Sequence, residues 1–273
     1  MTGSQTTPMP GEELKSDKMP GHWLLARLGK RVLRPGGRKL TVRMIEALNI
    51  RPSDEVVEFA PGLGDTARLA LKYKPASYTA VERDKDAAAI VQKLLQGPEQ
   101  RCVVGLAEKT GLPDISATVL YGEAMLSMQP PQQKSRIIAE AYRLLKPRGR
   151  LGIHELCLVP NDLDEDSKQA IEHGLASVIH HGTRPLTSAE WRGLLEAEGF
   201  VIEAQDHAPM SLLEPWRIIE DEGVFRALRF AFNLLRHRAA RQRVLGMRRV
   251  FGTHREHLAA IMLIGRKKEN ASQ

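Results

Sequence analysis

Between residues 56 and 156 two patterns of apolar spacing take turns along the chain. Runs at 56–59, 78–81, 101–104, 117–121 and 151–156 are nearly continuous in valine, leucine, isoleucine, tyrosine and alanine. Apolar runs of that length predict buried strands. Between them, residues 66–71, 85–95 and 134–145 repeat apolar positions every three or four residues and predict helices. Such alternation predicts an α/β fold, a parallel sheet covered by helices on both faces. Upstream, residues 22–34 can form an amphipathic helix with Trp23, Leu24, Leu25 and Leu28 on one side and basic residues opposite. Pro35-Gly36-Gly37 would end it, and residues 40–48 predict a second helix. The first of these helices can lie on a membrane or pack over a pocket, and the packed arrangement is the preferred reading.

In an open parallel sheet ligands bind at the carboxyl ends of the strands, so the turns there carry the chemistry. Val56-Val57-Glu58-Phe59-Ala60-Pro61-Gly62-Leu63-Gly64-Asp65 runs from a strand through a glycine turn into a helix. Gly62 and Gly64 let a ligand approach the main chain closely. Glu82 ends the next strand, at the spacing where an acid accepts hydrogen bonds from two ribose hydroxyls. The ligand is therefore expected to contain a nucleoside. Gly62-Leu63-Gly64-Asp65-Thr66-Ala67 also fits the dinucleotide fingerprint. Glu58 adds a negative charge and Pro61 removes an N–H from a turn where a pyrophosphate needs free donors and no anion. A cofactor with an amino group and a positive sulfur suits the turn better.

The stretch from Glu58 to Gly64 resembles motif I of the class I S-adenosylmethionine-dependent methyltransferases, with Ala60 in place of the first glycine. The resemblance continues in register through Val81-Glu82-Arg83-Asp84, Gly105-Leu106-Ala107-Glu108, Leu112-Pro113-Asp114-Ile115-Ser116 and residues 139–151. Residues 187–200, with Trp191, and 257–268 look like the family's last helix and last strand. The resemblance implies a Rossmann-like, doubly wound, mostly parallel seven-stranded sheet and S-adenosyl-L-methionine as cofactor. It places Glu58 near the methionine end, directly or through Gly62 and Gly64. It puts Glu82 on the ribose, with Arg83 beside the adenine and the Ala107 main chain against the base. Leu106 stands where many members carry an acid. Gly122 and Glu123, after the fourth strand, face or flank the pocket. The implied layout is a disordered tail over 1–20, helices over 21–50 covering the cofactor site, and a methyltransferase domain over 51–268. Inserts at 159–185 and 213–253 form helical lids in that layout. Because they are rich in apolar residues, they point to a small, partly apolar or lipid-like acceptor.

Charge adds a second question. The chain of 273 residues carries a formal net charge of +7. The excess is concentrated in two acid-free stretches, one between Asp17 and Glu46 and one between Glu222 and Glu256. Such concentration predicts an anionic partner: a membrane surface, nucleic acid or an acidic substrate. A nucleic-acid methyltransferase or binding module is the alternative function. Against it, aromatics make up only 5% of the chain, and the arginines interleave with aliphatic runs instead of stacking rings. No apolar run is long enough to span a bilayer, and the start is polar, unlike a secretory leader. Cys102 and Cys157 fall in predicted strands as buried thiols. A cytoplasmic protein with a peripheral membrane contact is the expected setting; the oligomeric state is left open.

Methyl transfer from a sulfonium needs alignment and, for some acceptors, a base. His154, or its neighbour Glu155, near the end of the fifth strand is the candidate base. His173, His180 and His181 on the first insert are candidates for touching substrate. No metal is expected, because no recognised ligand spacing occurs.

Overall fold

The computed structural model describes residues 9–11, 13, 18–31, 34–180 and 182–269. Most of the expected tail, and His181, lie outside the described residues. Helices α1 (Gly21–Leu28) and α2 (Gly37–Leu48) precede β1 (Glu55–Phe59), α3 (Asp65–Ala70), β2 (Ser77–Glu82) and α4 (Lys85–Gln92). There follow β3 (Gln100–Val104), β4 (Ala117–Glu123), α5 (Pro131–Leu144), β5 (Leu145–Leu158) and α6 (Glu165–Ile179). The chain then forms β6 (Leu186–Thr187), α7 (Ser188–Ala197), β7 (Phe200–Pro209) and α8 (Pro215–Glu222). Helices α9 (Val224–Arg236) and α10 (Arg238–Thr253) lead to β8 (Leu258–Lys267).

One sheet has the strand order β3-β2-β1-β4-β5-β8-β7, with the two-residue β6 paired to β5. That short strand makes eight where seven were expected. Strands β1 to β5 run parallel, and β8 runs antiparallel to both β5 and β7. Side chains on each strand alternate between the faces. Val57, Phe59, Leu120 and Ile153 pack on one side with Ile137, Ile138 and Ala141 of α5 and Trp191 and Leu195 of α7. Val56, Tyr78, Ala80 and Tyr121 pack on the other with Leu40, Met44, Ile45 and Leu48 of α2 and Ala67 of α3.

Local chemistry fixes several element ends. Asp84 caps α4 by accepting from the N–H groups of Asp86 and Ala87, and Thr187 with Glu190 forms a capping box on α7. Asp164 caps α6 by accepting from the Ser167 N–H. The first helix is shorter than its apolar period predicts. Gly29 takes a left-handed conformation and its N–H bonds the Ala26 carbonyl, ending α1 before the Pro35 turn.

A third apolar cluster gathers the remaining helices at the ends of β5 and β8, which contribute Leu156, Leu158 and Leu258. It joins Leu24, Leu25 and Leu28 of α1, Ile171 and Leu175 of α6, Ile218 of α8, Phe230 of α9, and Val244, Met247 and Phe251 of α10. The apolar side of α1 is therefore buried within the protein. Among the described residues no helix is long and apolar enough to cross a membrane.

Candidate active site

The cavity opens above the carboxyl ends of β1, β2 and β4 and has a volume of about 490 Å³. Its floor is the turn between β1 and α3. Ala60, Gly62 and Gly64 all have positive φ, at 51°, 58° and 74°. A left-handed residue without glycine's freedom is costly, and Ala60 sits at one of the positions the motif normally gives to glycine. The Ala60 N–H bonds the Val81 carbonyl at 2.9 Å, which ties the turn to β2. A Cβ placed on Gly62 would meet nothing within 4 Å, because it would point into the cavity. A Cβ on Gly64 would come within 2.4 Å of Leu94 Cδ1, so that glycine serves close packing of the turn.

Glu82 leaves the end of β2 and is only 5% exposed. Its two carboxylate oxygens accept the N–H groups of Gly62 at 3.1 Å and Asp84 at 3.0 Å. Burial pushes its carboxyl above the ordinary range, and these backbone donors offset part of that rise. Each oxygen keeps a further acceptor position, which matches a pair of neighbouring hydroxyls. Beside it, Arg83, Asp84, Gly105, Leu106, Ala107 and Glu108 line the same wall.

Two buried acids lie under and beside the turn, and their surroundings drive them apart. Glu58 accepts hydrogen bonds from the hydroxyls of Tyr78 and Tyr121, the latter at 2.8 Å. Burial pushes its carboxyl up to about 8, against the pull of the two tyrosines. Its position on the α2 side of β1 explains this: the strand period turns it toward the tyrosines on the same face. Glu58 borders the cavity, but its carboxylate is committed beneath it, not aimed at the methionine end.

Glu123 is the opposite case. Burial works against its charge, yet Arg34, then His154 and Thr41, hold its carboxyl down to about 2. Arg34 donates to Thr66 Oγ1 at 2.9 Å and Asp65 Oδ2 at 2.7 Å, and its guanidinium lies 3.4 Å from Glu123 Oε2. The Thr66 and Thr41 hydroxyls both donate to Glu123, the latter at 2.6 Å. His154 Nδ1 lies 2.7 Å from Glu123 and Nε2 lies 2.6 Å from the Pro35 carbonyl. A carboxylate and a carbonyl both accept, so each ring nitrogen faces an acceptor. This network clamps the segment between α1 and α2 to the glycine turn.

Residues 57–153 match the family model described as a methyltransferase domain. The chain is 34% identical over 250 residues to an uncharacterised protein of Haemophilus influenzae, covering 88% of this chain and 96% of that one. It is 26% identical over 214 residues to the methyltransferase PhqN of Penicillium fellutanum, covering 75% and 62%. Its fold is similar to phosphoethanolamine N-methyltransferase 2 of Haemonchus contortus, solved in complex with S-adenosyl-L-methionine. That similarity has a TM-score of 0.67 at 14% identity and covers 91% of this chain and 57% of the other. The chain belongs to the class I S-adenosylmethionine-dependent methyltransferases.

The cofactor of this methyltransferase is S-adenosyl-L-methionine, and the cavity fits it on its own evidence. An acid at the end of β2 with acceptor positions to spare, and a glycine whose missing Cβ leaves the turn open, are what a ribose and an amino-acid tail require. The structure brings Glu58, Ala60, Gly62, Glu82, Arg83, Leu106, Ala107 and Glu123 to the cavity wall. Gly64 and Gly122 lie behind it, Gly64 against Leu94 and Gly122 against Phe59 and Met125.

The residues expected for catalysis and substrate contact are not on that wall. His154 is fully buried, with both ring nitrogens engaged between α2 and β4. Glu155 is fully buried on the opposite face, where it accepts the N–H groups of Met125, Leu126 and Ser127 and the Ser127 hydroxyl. Both are structural acceptors or donors behind the site. His173 and His180 are exposed on α6 and at its end and are not among the residues that line the cavity.

The sequence reading missed two groups. Arg34, Asp65 and Thr66 line the cavity, and the one available hint was an arginine directly before the Pro35-Gly36-Gly37 turn. The other is the set of lining side chains on segments that were expected only as covering helices and lids: Trp23 and Leu25 of α1, Ile179 of α6, Met210, Leu212, and Met247 and Phe251 of α10. His22 of α1 is the single histidine among the described residues that line the cavity.

Proposed function

We propose that this methyltransferase transfers its methyl group to a small, largely apolar acceptor held under the helical roof. The observation that carries this reading is the roof's chemistry. Away from the glycine turn, the lining includes Trp23, Leu25, Met128, Leu156, Met210, Leu212, Met247 and Phe251, beside the polar His22, Ser127, Gln129 and Gln133. Among the described residues, the arginines on the lining are Arg31, Arg34 and Arg83, and Arg34 is paired with acids of the protein itself. A nucleic acid would meet apolar rings where it needs cations along a backbone.

S-adenosyl-L-methionine supplies a methyl group on a positively charged sulfur, which departs as a neutral thioether. In this reading Glu82 accepts the ribose hydroxyls, and the backbone around Gly62 takes the amino-acid tail. The Ala107 main chain would contact the adenine, beside Leu106, which stands in place of an acid. Arg34, held by Asp65 and Glu123, would hold the turn on which the cofactor binds. The roof excludes water and presents the acceptor in line. Where the acceptor atom carries a proton, His22 is the imidazole placed to remove it. The test is incubation with radiolabelled cofactor and a total cell extract, followed by partition. Label is expected in the small organic-soluble fraction; label confined to RNA or DNA would overturn the reading.

A further inference from the structure

Helix α9 presents its most apolar side to solvent. Phe225 is 89% exposed, Leu228 62%, Phe232 56% and Leu235 68%. Their spacing of three, four and three residues places them on one stripe of the helix. The buried contacts of α9 come from the other side: Phe230 sits in the roof cluster, and Asn233 Nδ2 donates to the Leu28 carbonyl at 3.0 Å. Arg226, Arg229 and Arg236 are exposed along one flank of the stripe, and none has an ion pair among the described residues. Trp216, on the preceding helix, is also half exposed.

Three partners could cover such a face, and the charges discriminate between them. A second copy pairing through the same surface would set these arginines against their own images, in a stretch with no acid between Glu222 and Glu256. A nucleic acid would meet the arginines but leave the phenylalanine and leucine stripe against phosphate. An anionic bilayer satisfies both parts, because the stripe enters the acyl boundary while the guanidinium groups meet the headgroups.

We propose that α9 docks this protein on an anionic lipid surface. Helix α9 packs on α1, whose His22, Trp23 and Leu25 line the cavity. Docking therefore sets the roof of the site at the level where apolar molecules partition. From the sequence, residues 22–34 can pack over a pocket, the preferred reading, or lie on a membrane; burial of Leu24, Leu25 and Leu28 removes the second option, and the proposal places the contact on α9.

The test is flotation of the full chain with phosphatidylcholine vesicles and with vesicles of phosphatidylcholine mixed with phosphatidylglycerol. The readout is independent of any methyl acceptor. Binding is expected to the mixed vesicles only and to weaken as salt rises. The double variant F225S/F232S removes two exposed rings from solvent-facing positions. It is expected to keep the wild-type circular dichroism and to lose affinity about tenfold or more. R226S/R229S is expected to lose binding to the mixed vesicles by about tenfold. Unchanged binding in both variants, no binding by the wild type, a dimer in light scattering that F225S/F232S dissolves, or tighter binding to duplex RNA than to vesicles would each overturn the proposal.

Discussion

Glu58 shows how much one side chain's surroundings decide. In the unfolded chain its carboxyl titrates in the ordinary range, whereas in the folded protein burial pushes it up to about 8. Folding therefore holds a proton on Glu58 between those two values, and stability falls as pH rises through that window. Glu58→Gln keeps an acceptor for Tyr78 and Tyr121 and removes the titration. Urea unfolding at about pH 5 and about pH 8.5 should show the variant gaining on the wild type by roughly 3 kcal/mol at the higher pH. Parallel pH profiles for the two proteins would show that Glu58 does not titrate in that window. Glu82 was legible in the sequence because its role depends on strand register and position, which a linear pattern records. The fate of His154 was not. Strand alternation says that His154 and Glu155 point oppositely, but not that Pro35 and Thr41 wait on one face and the Ser127 loop on the other. Those partners lie at large sequence separations.

The turn between β1 and α3 is the element whose geometry the motif encodes most directly, and its two glycines separate fold from binding. Both have positive φ, so an added side chain costs about 1 kcal/mol at either position. At Gly62 the new methyl group enters the cavity, whereas at Gly64 it collides with Leu94. Gly62→Ala is expected to unfold within about 1 kcal/mol of the wild type yet bind cofactor at least tenfold more weakly by calorimetry. Gly64→Ala is expected to lose more than about 2 kcal/mol of stability. Equal stability losses, or undiminished cofactor affinity in Gly62→Ala, would show that the two positions do not divide the work in this way. The strands and the cores of α4 and α5 were legible because apolar runs and helical periods survive in the sequence. The ends were less so. Gly29 ended α1 where periodicity ran on, and β5 begins at Leu145, six residues before its apolar run. There, Leu145 pairs with Ala117 of β4, and the chain bulges through Lys146, Pro147 and Arg148, the last at φ 64°, before pairing resumes at Arg150; composition records none of this. The stretch over 224–235 is apolar on most sides, which reads as burial; the structure instead buries Phe230 and leaves Phe225 outside.

At the scale of the whole molecule the apolar residues divide into a sheet with two covered faces and a separate roof cluster drawn from α1, α6, α8, α9 and α10. The sequence announced the roof's segments as inserts but not their joining, because helix-to-helix contacts between distant segments leave no period to read. The division has a dynamic consequence. A parting of the roof would admit an acceptor to the cavity, and it requires that the roof open at lower free energy than the sheet unfolds. Leu175 separates the two possibilities: it is fully buried in the roof cluster on α6, is absent from the cavity wall, and belongs to neither sheet face. Leu175→Ala should destabilise the roof by about 2–4 kcal/mol while leaving the glycine turn untouched. Amide hydrogen exchange should then quicken across α1, α6 and α10, with β1, β4 and β5 exchanging as in the wild type and cofactor affinity unchanged. Acceleration spread evenly over roof and sheet would mean that the two unfold as one cooperative unit, and that the acceptor enters by a route other than an opening of the helical cover.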